Sequence, residues 1–279
     1  MTRPTDATGR LSRKVETHRS LFLSDFHLGA RGCRADRILD FLNRNNAETI
    51  YLVGDILDTW HPLVPHWTEN HDAILRLLLR RARQGARIVY LPGNHDHPLR
   101  GHYGTHLAGI EVAEQAVHRA ADGRSYLVLH GDRCDKRLFR SHLATRIGSR
   151  LDGAMRTLDG WLRGLRGSLR PQDRSVIEVL LVWVGALMHF GGGFEMRVTD
   201  LAREQGWDGV ICGHTHRAAL HDELGILYGN CGDWVDSLTA IVEDSEGRLE
   251  LLRWEELARD PVREIDFDAA EAPGIAGLG

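Results

Sequence analysis

Five short apolar runs of β-forming residues each end abruptly in a polar motif, and that pattern limits the fold more than any other feature of the chain. Leu21-Phe22-Leu23 runs into Asp25-x-His27, Thr49–Val53 into Gly54-Asp55, and Arg87–Leu91 into Gly93-Asn94-His95-Asp96. Tyr126–Leu129 runs into His130-Gly131-Asp132, and Gly209–Cys212 into Gly213-His214-x-His216. The first three runs alternate with helical spacing: Ile38–Leu42, then Ala73–Ala82, where Ile74, Leu75, Leu77, Leu78 and Leu79 make a broad apolar face. Strand and helix in that rhythm predict a parallel sheet covered by helices. In such sheets ligands gather beyond the carboxyl ends of the strands, so motifs scattered along most of the chain can meet in one place.

Together the motifs offer carboxylates, imidazoles and one amide. That donor set suits Mn, Fe, Zn or Co; it lacks the thiolates of a structural zinc site and the all-oxygen shell of calcium. The D-x-H and H-x-H spacings aim residues i and i+2 the same way on an extended strand exit. Glycine beside them lets backbone approach closely. A single Gly-Asp or His-x-His is ordinary turn or surface chemistry; five motifs in order at strand ends are not. Sixteen histidines are present. Of these, His61, His66, His71, His97, His102 and His106 read singly as rim or packing residues. Arg31 and Arg34, just after the first motif, are candidates to bind a phosphate or nucleotide, or simply a solvated loop. Asn230, Asp233 and Trp234, in YGNCGDWVDS, are candidates to support the ligands from behind, or plain turn residues.

The rest of the chain divides around this core. Residues 1–18 read as a disordered arm and 259–279 as a flexible tail. The core occupies 19–132 and 207–258. Asp122-Gly123 between Ala116–Arg119 and Tyr126–Leu129 signals a hairpin. Ala218–Leu220, Ile226–Tyr228, Leu238–Val242 and Leu249–Trp254 read as successive antiparallel strands. Residues 133–206 carry helical spacing and read as a helical cap insertion. Its first half is basic: Lys136, Arg137, Arg140, Arg146, Arg150, Arg156, Arg163, Arg166, Arg170 and Arg174, against Asp152, Asp159 and Asp173. Its second half contains the apolar run Val179–Phe190, too short to span a bilayer. Basic charge beside apolar surface is the composition of an interfacial segment, so peripheral contact with a membrane surface is expected. The formal net charge is −4, which leaves no basic excess for nucleic acid. Cys33, Cys134, Cys212 and Cys231 form no C-x-x-C pair and read as reduced thiols. With no apolar signal segment at the N-terminus, a cytoplasmic location follows, with contact at the inner face of the membrane.

The motifs, in this order over roughly residues 20–254, resemble those of the calcineurin-like metallophosphoesterase superfamily. The resemblance implies an α/β fold: a four-layer αββα sandwich of two mixed sheets. It implies a two-metal phosphoesterase in which Asp25, His27, Asp55 and His216 hold one ion. Asp55, Asn94, His130 and His214 hold the other, with Asp55 shared. His95, oriented by Asp96, then contacts the scissile phosphate or protonates the leaving group. Two divalent ions are implied, with Mn2+ the first choice. Within the superfamily, SDFHLGARGCRAD, LVGDILDTW, PGNHD, LVLHGD, ICGHTH and YGNCGDWVDS are most similar to the UDP-2,3-diacylglucosamine pyrophosphatase branch of lipid A biosynthesis. That implies a phosphorylated, lipid-linked small-molecule substrate. The best-known members of that branch carry Arg where this chain has His95, which leaves room for a phosphodiesterase or phosphatase acting on a different phospholipid or nucleotide. A non-catalytic binding scaffold of the same fold is the reading from another class; such scaffolds tend to lose ligands, and here the set is complete.

Overall fold

In the computed structural model, residues 15–60, 65–135 and 193–254 are described. The chain begins with β1 (Glu16–Leu23), α1 (Ala35–Arg44), β2 (Asn45–Leu52), α2 (Glu69–Arg83) and β3 (Arg87–Tyr90). Short strands β4 (Thr105–Leu107) and β5 (Ile110–Val112) follow, then the hairpin β6 (Ala116–Arg119) and β7 (Ser125–Val128). The last part is α3 (Gly193–Glu204), β8 (Gly209–Cys212), β9 (Ala219–His221), β10 (Leu227–Asn230), β11 (Thr239–Glu243) and β12 (Leu249–Arg253).

These strands form a 7-stranded sheet, ordered β12-β11-β1-β2-β3-β5-β4, and a 5-stranded sheet, ordered β6-β7-β8-β10-β9. The sheets are mixed: β1, β2, β3 and β5 run parallel, as do β7, β8 and β10, with antiparallel strands at the edges. Alternation along the central strands sorts the core into layers. Leu21, Leu23, Ile50, Leu52 and Ile88 pack with Ile38, Phe41 and Leu42 of α1 and Ile74, Leu77 and Leu78 of α2. Their neighbours Phe22, Tyr51, Val53, Val89 and Leu91 face the other way and meet Tyr126, Val128 and Ile211 of the second sheet. Leu127, Val210 and Tyr228 turn outward against Phe194, Val198 and Ala202 of α3. The result is the four-layer αββα sandwich. Spacing of i, i+3 and i+4 on the helices supplies the matching apolar stripes, and each fully buried Leu, Ile or Phe stabilises the fold by roughly 1.5–3 kcal/mol.

Several details depart from the sequence reading. Residues 16–18 are strand rather than arm, because Glu16, Thr17 and His18 pair in parallel with Asn45, Asn46 and Ala47. β4 and β5 were not foreseen. The last four strands are not one antiparallel series: β10 runs parallel to β8, and the chain then changes sheets so that β11 pairs with β1. Of the expected cap at 133–206, residues 136–192 lie outside the described residues, and with them most of its cations and the whole Val179–Phe190 run. Its end, α3, packs on the second sheet and belongs to the core. The expected tail, 259–279, also lies outside the described residues. Among the described residues no helix is long and apolar enough to cross a membrane.

Candidate metal centre

The five polar motifs leave the carboxyl ends of β1, β2, β3, β7 and β8, three parallel strands of one sheet and two of the other. Backbone bonds tie the turns into a continuous rim. Asp25 N donates to Gly54 O at 3.0 Å and His27 N to Asp55 O at 2.9 Å; across the sandwich, Trp234 N donates to Asp25 O at 3.1 Å. Among the described residues seven non-glycines have positive φ, and five of them are Asp25 (53°), His27 (50°), Asp55 (52°), His214 (69°) and His216 (56°). Left-handed backbone costs an ordinary side chain on the order of 1–3 kcal/mol and clusters where a site demands it. Here it turns successive side chains off the strand direction and into a common space.

In that space Asp25, His27 and His216 bring one donor atom each within 4.8 Å of one another, and so do Asp25, Asp55 and His130. His27 Nε2 lies 3.3 Å from His216 Nε2. His216 Nε2 is 3.2 Å from Asp25 Oδ1, and His130 Nε2 is 3.4 Å from Asp55 Oδ2. Asp25, Asp55, His27, Asn94 and His130 are buried, whereas the His216 side chain is 40% exposed and marks the open rim. A Cβ on Gly93 would collide with Asp55 Oδ1, and one on Gly54 with the His130 ring. Only glycine leaves room for the carboxylate and imidazole to converge.

The other expected residues are placed less uniformly. Asn94 is 7% exposed and its Oδ1 makes no hydrogen bond. His214 packs its ring 5.3 Å from that of His130, but its Nε2 faces Asp135 Oδ2 at 3.4 Å, so Nδ1 is the nitrogen left for an ion. His95 stands at the edge, its Nε2 4.0 Å from Asp55 Oδ2. Its partner is not Asp96. Asp96 instead accepts from Ile56 N at 2.8 Å, Tyr90 OH at 2.5 Å and Gly93 N at 2.5 Å, and so holds the turn together. The carboxylate at His95 Nδ1 is Asp58, 3.2 Å away, and Trp60 stacks on the imidazole with ring centroids 4.1 Å apart. Asp58 and Trp60 lie in the GDILDTW stretch, four and six residues past Gly54, and proximity in sequence favoured Asp96 over them. Arg31 is exposed and Arg34 half-buried at the start of α1; neither side chain contacts the donors above. Asn230, by contrast, does support them: its Nδ2 donates to Gly213 O at 2.9 Å and to Thr215 Oγ1 at 3.0 Å. Asp233 accepts from the amides of Val235 and Asp236, fixing the loop whose Trp234 bonds Asp25.

The electrostatics follow from crowding. Burial, helped by the neighbouring His95 and His216 and opposed by Asp25 and Asp55, brings His27 down to about 4. Burial also disfavours charge on His130 and His216, but Asp55 and Asp25 outweigh it and lift them to about 10 and about 9. The same contacts pull both carboxylates below their usual range against the cost of burial. Asp96, buried and near the Asp55 charge, is pushed up. A divalent cation fits this arrangement. Asn94 Oδ1 is buried without a hydrogen bond, and Asp25 Oδ1 and His130 Nε2 have only the loose contacts at 3.2 and 3.4 Å given above, a costly state that coordination would relieve. His130 Nδ1 lies 2.9 Å from Val53 O, which directs Nε2 into the site in the manner usual for a metal-ligating histidine.

Comparison with known proteins identifies the family. The family model described as Calcineurin-like phosphoesterase matches residues 18–218. Relatives include the UDP-2,3-diacylglucosamine hydrolase of Stutzerimonas stutzeri, 29% identical, with 72% of this chain and 83% of that protein covered. The UDP-2,3-diacylglucosamine hydrolase of Xanthomonas campestris pv. campestris is 24% identical, with 82% and 96% covered. A solved structure of vacuolar protein sorting 29 from Cryptosporidium parvum is 12% identical, with 84% of this chain and 94% of that chain covered and a TM-score of 0.38. The family match begins in β1 and closes just past the His214-Thr215-His216 turn, so every turn that brings a donor to the centre lies inside it, and the chain belongs to the calcineurin-like phosphoesterases, metal-dependent hydrolases of phosphoester and diphosphate bonds.

Proposed function

We propose that the chain uses two divalent ions to hydrolyse a lipid-linked diphosphate of the UDP-2,3-diacylglucosamine type. The observation that carries the two-metal part is that Asp25, His27 and His216 form one group of converging donors and Asp25, Asp55 and His130 a second, with Asn94 Oδ1 buried and without a hydrogen bond. Asp25, His27, Asp55 and His216 would hold one ion and Asp55, Asn94, His130 and His214 the second. The oxygen and nitrogen donors, without sulfur, suit Mn2+. When bound, paired ions would lower the pKa of a water held between these residues and polarise the phosphoryl group.

The protein's own residues do the rest. His95 faces the shared carboxylate with Nε2 and delivers a proton to the leaving oxygen. Asp58 accepts from Nδ1–H and would stabilise the doubly protonated ring, whose Nε2–H is the proton delivered, and Trp60 fixes the plane of the ring. Asp96 keeps the Gly93–Asp96 turn closed around Asp55. Arg31 and Arg34, on the loop after the first motif, are proposed to meet the distal phosphate or nucleotide. The lipid assignment is supported by the relatives, which are UDP-2,3-diacylglucosamine hydrolases, and by the basic and apolar halves of residues 136–190. With those features the substrate is met at the inner face of the membrane.

The test has two arms. Elemental analysis should find two divalent ions per wild-type chain and fewer than one in Asp55→Asn; near-full occupancy of both sites in that variant would sink the shared-ligand assignment. Separately, residues 136–190 are replaced by a Gly-Ser linker, leaving α3 in place. Hydrolysis of UDP-diacylglucosamine should collapse while a small chromogenic phosphodiester is still cleaved. Equal loss on both substrates defeats the lipid reading. His95 favours one competitor, a different phospholipid or nucleotide ester, and turnover of such a substrate in preference to UDP-diacylglucosamine would establish it.

A further inference from the structure

Beside His130, between the turn after β3 and the turn after β7, lies a cavity of about 130 Å3 lined in part by Arg100, Tyr103, Glu114, Asp132 and Arg133. Its two arginines are already paired. Arg133 meets Glu114, and Arg100 Nη2 meets Asp132 Oδ2 at 2.8 Å. The cavity therefore carries no uncompensated positive charge to attract a further phosphate, and the two pairs differ. The Arg133 and Glu114 side chains are 57% and 48% exposed, where an ion pair contributes little. The Arg100 and Asp132 side chains are 14% and 11% exposed, and Arg100 Nη2 also donates to Pro92 O at 3.3 Å.

One guanidinium thus holds both turns. Pro92 stands two residues before Asn94, in a turn leaving the first sheet. Asp132 stands two residues after His130, in a turn leaving the second. Arg100 itself sits on the 3-10 helix His97–His102 that continues from the first turn. We propose that the Arg100–Asp132 pair is a positioning brace that sets the separation of Asn94 and His130, and through it the second ion's site. The inference rests on the reading of those two residues as ligands of one ion.

The physical need is specific. On the Asp25 side the sheets are already linked near the site, by Trp234 N to Asp25 O, Ser24 Oγ to Gly232 O at 2.8 Å and His214 N to Asp25 Oδ2 at 3.0 Å. On the Asn94 side, among the described residues, the links are the His130 contacts with Val53 O and Asp55 Oδ2 and this ion pair. Asn94 is a neutral, weak donor, so its contribution depends on being held in place. Both bonds leave the one nitrogen Nη2, whose N–H directions are fixed by the planar guanidinium; lysine's ammonium rotates on a flexible stem and holds the two partners less firmly.

The experiment titrates metal-free protein with Mn2+, reading stoichiometry and affinity by calorimetry and the spin-coupled Mn–Mn signal by electron paramagnetic resonance. Wild type should bind two ions. Arg100→Gln should keep the first ion at wild-type affinity, weaken the second about 10–100-fold, as loss of an outer partner does, and lose the coupled signal. Asp132→Asn should do the same, Arg100→Lys should fall between, and the double variant Arg100→Gln/Asp132→Asn should be no worse than either single one. Melting curves identify any variant that fails to fold, and Arg100→Lys, which keeps the charge, then carries the test. Unchanged affinity for the second ion, or equal weakening of both, overturns the brace. Fewer than two ions in wild type overturns the two-metal reading instead.

Discussion

The protein buries charge in two places and treats it in opposite ways. Between the sheets, Glu243 has no exposed surface and is surrounded by partners. Arg19 Nη1 is 2.5 Å from its Oε1, Ala121 N donates to the same oxygen at 2.9 Å, and His118 Nε2 is 2.9 Å from its Oε2. His118 Nδ1 in turn lies 3.2 Å from the Tyr51 hydroxyl. None of these residues has positive φ. At the metal centre, Asp25, Asp55 and Asp58 crowd around histidines, and five residues adopt left-handed backbone. The first cluster spends its charges on holding the sheets together. The second gathers carboxylates and histidines into one small space on left-handed backbone at a cost in stability, the usual relation between a site built for a ligand and the scaffold under it.

Substitutions should separate the two clusters. The largest effect belongs to His95→Ala, which should retain both ions and lose about 10²–10⁴-fold in kcat. Metal analysis with kinetics on a poor leaving group is the check, and loss of an ion would move His95 from proton donor to ligand. Glu243→Gln should do the reverse. It breaks a buried ion pair and should destabilise the fold by about 3–5 kcal/mol, read by denaturant unfolding, while kcat per folded molecule stays unchanged; a kcat defect would mean the clusters are coupled.

Acid should expose the same cluster. Burial alone would raise the Glu243 carboxyl, but the His118, Ser20 and Ala121 contacts prevail and hold it at about 2, against 4.5 for a free glutamate. A carboxyl lowered on folding stabilises the protein above its unfolded value, and that stabilisation is lost as pH falls from about 4.5 toward 2. The amount is roughly 3 kcal/mol, and the part of the acid-unfolding slope that it causes should vanish in Glu243→Gln. Smallest is Asn230→Ala. It removes the support of the Gly213–Thr215 turn and should weaken Mn2+ binding about 10–100-fold; full affinity by calorimetry would make Asn230 ordinary turn chemistry.

What could be read from the chain alone was governed by distance along it. The strands bearing the motifs were legible because an apolar run and its polar exit lie within ten residues, and α1 and α2 because their stripes repeat every turn. The sheet change between β10 and β11 was not, since pairing of Phe22 with Ile241 leaves no local mark. β4 and β5 have three residues each and β4 is exposed throughout, so no buried face patterns them. The same limit applies to the site. Asp25, His27, Asp55, Asn94, His130, His214 and His216 announce themselves by motif. Asp58, Asp135 and Arg100 act through turns whose side-chain directions depend on the fold. Asp96 shows why adjacency misleads: one residue beyond His95, it points back to Ile56, Gly93 and Tyr90.

His27 and His216 are 189 positions apart along the chain and 3.3 Å apart in space. A growing polypeptide emerges at about 5–20 residues per second, so His27 waits on the order of 10–40 s for its neighbour. Throughout that interval no nascent fragment can present the finished coordination shell. Choice of ion is therefore deferred until both sheets have closed. A chain cut short before Gly213 cannot assemble the shell to compete for the cell's metal, however well its first strands and helices have formed.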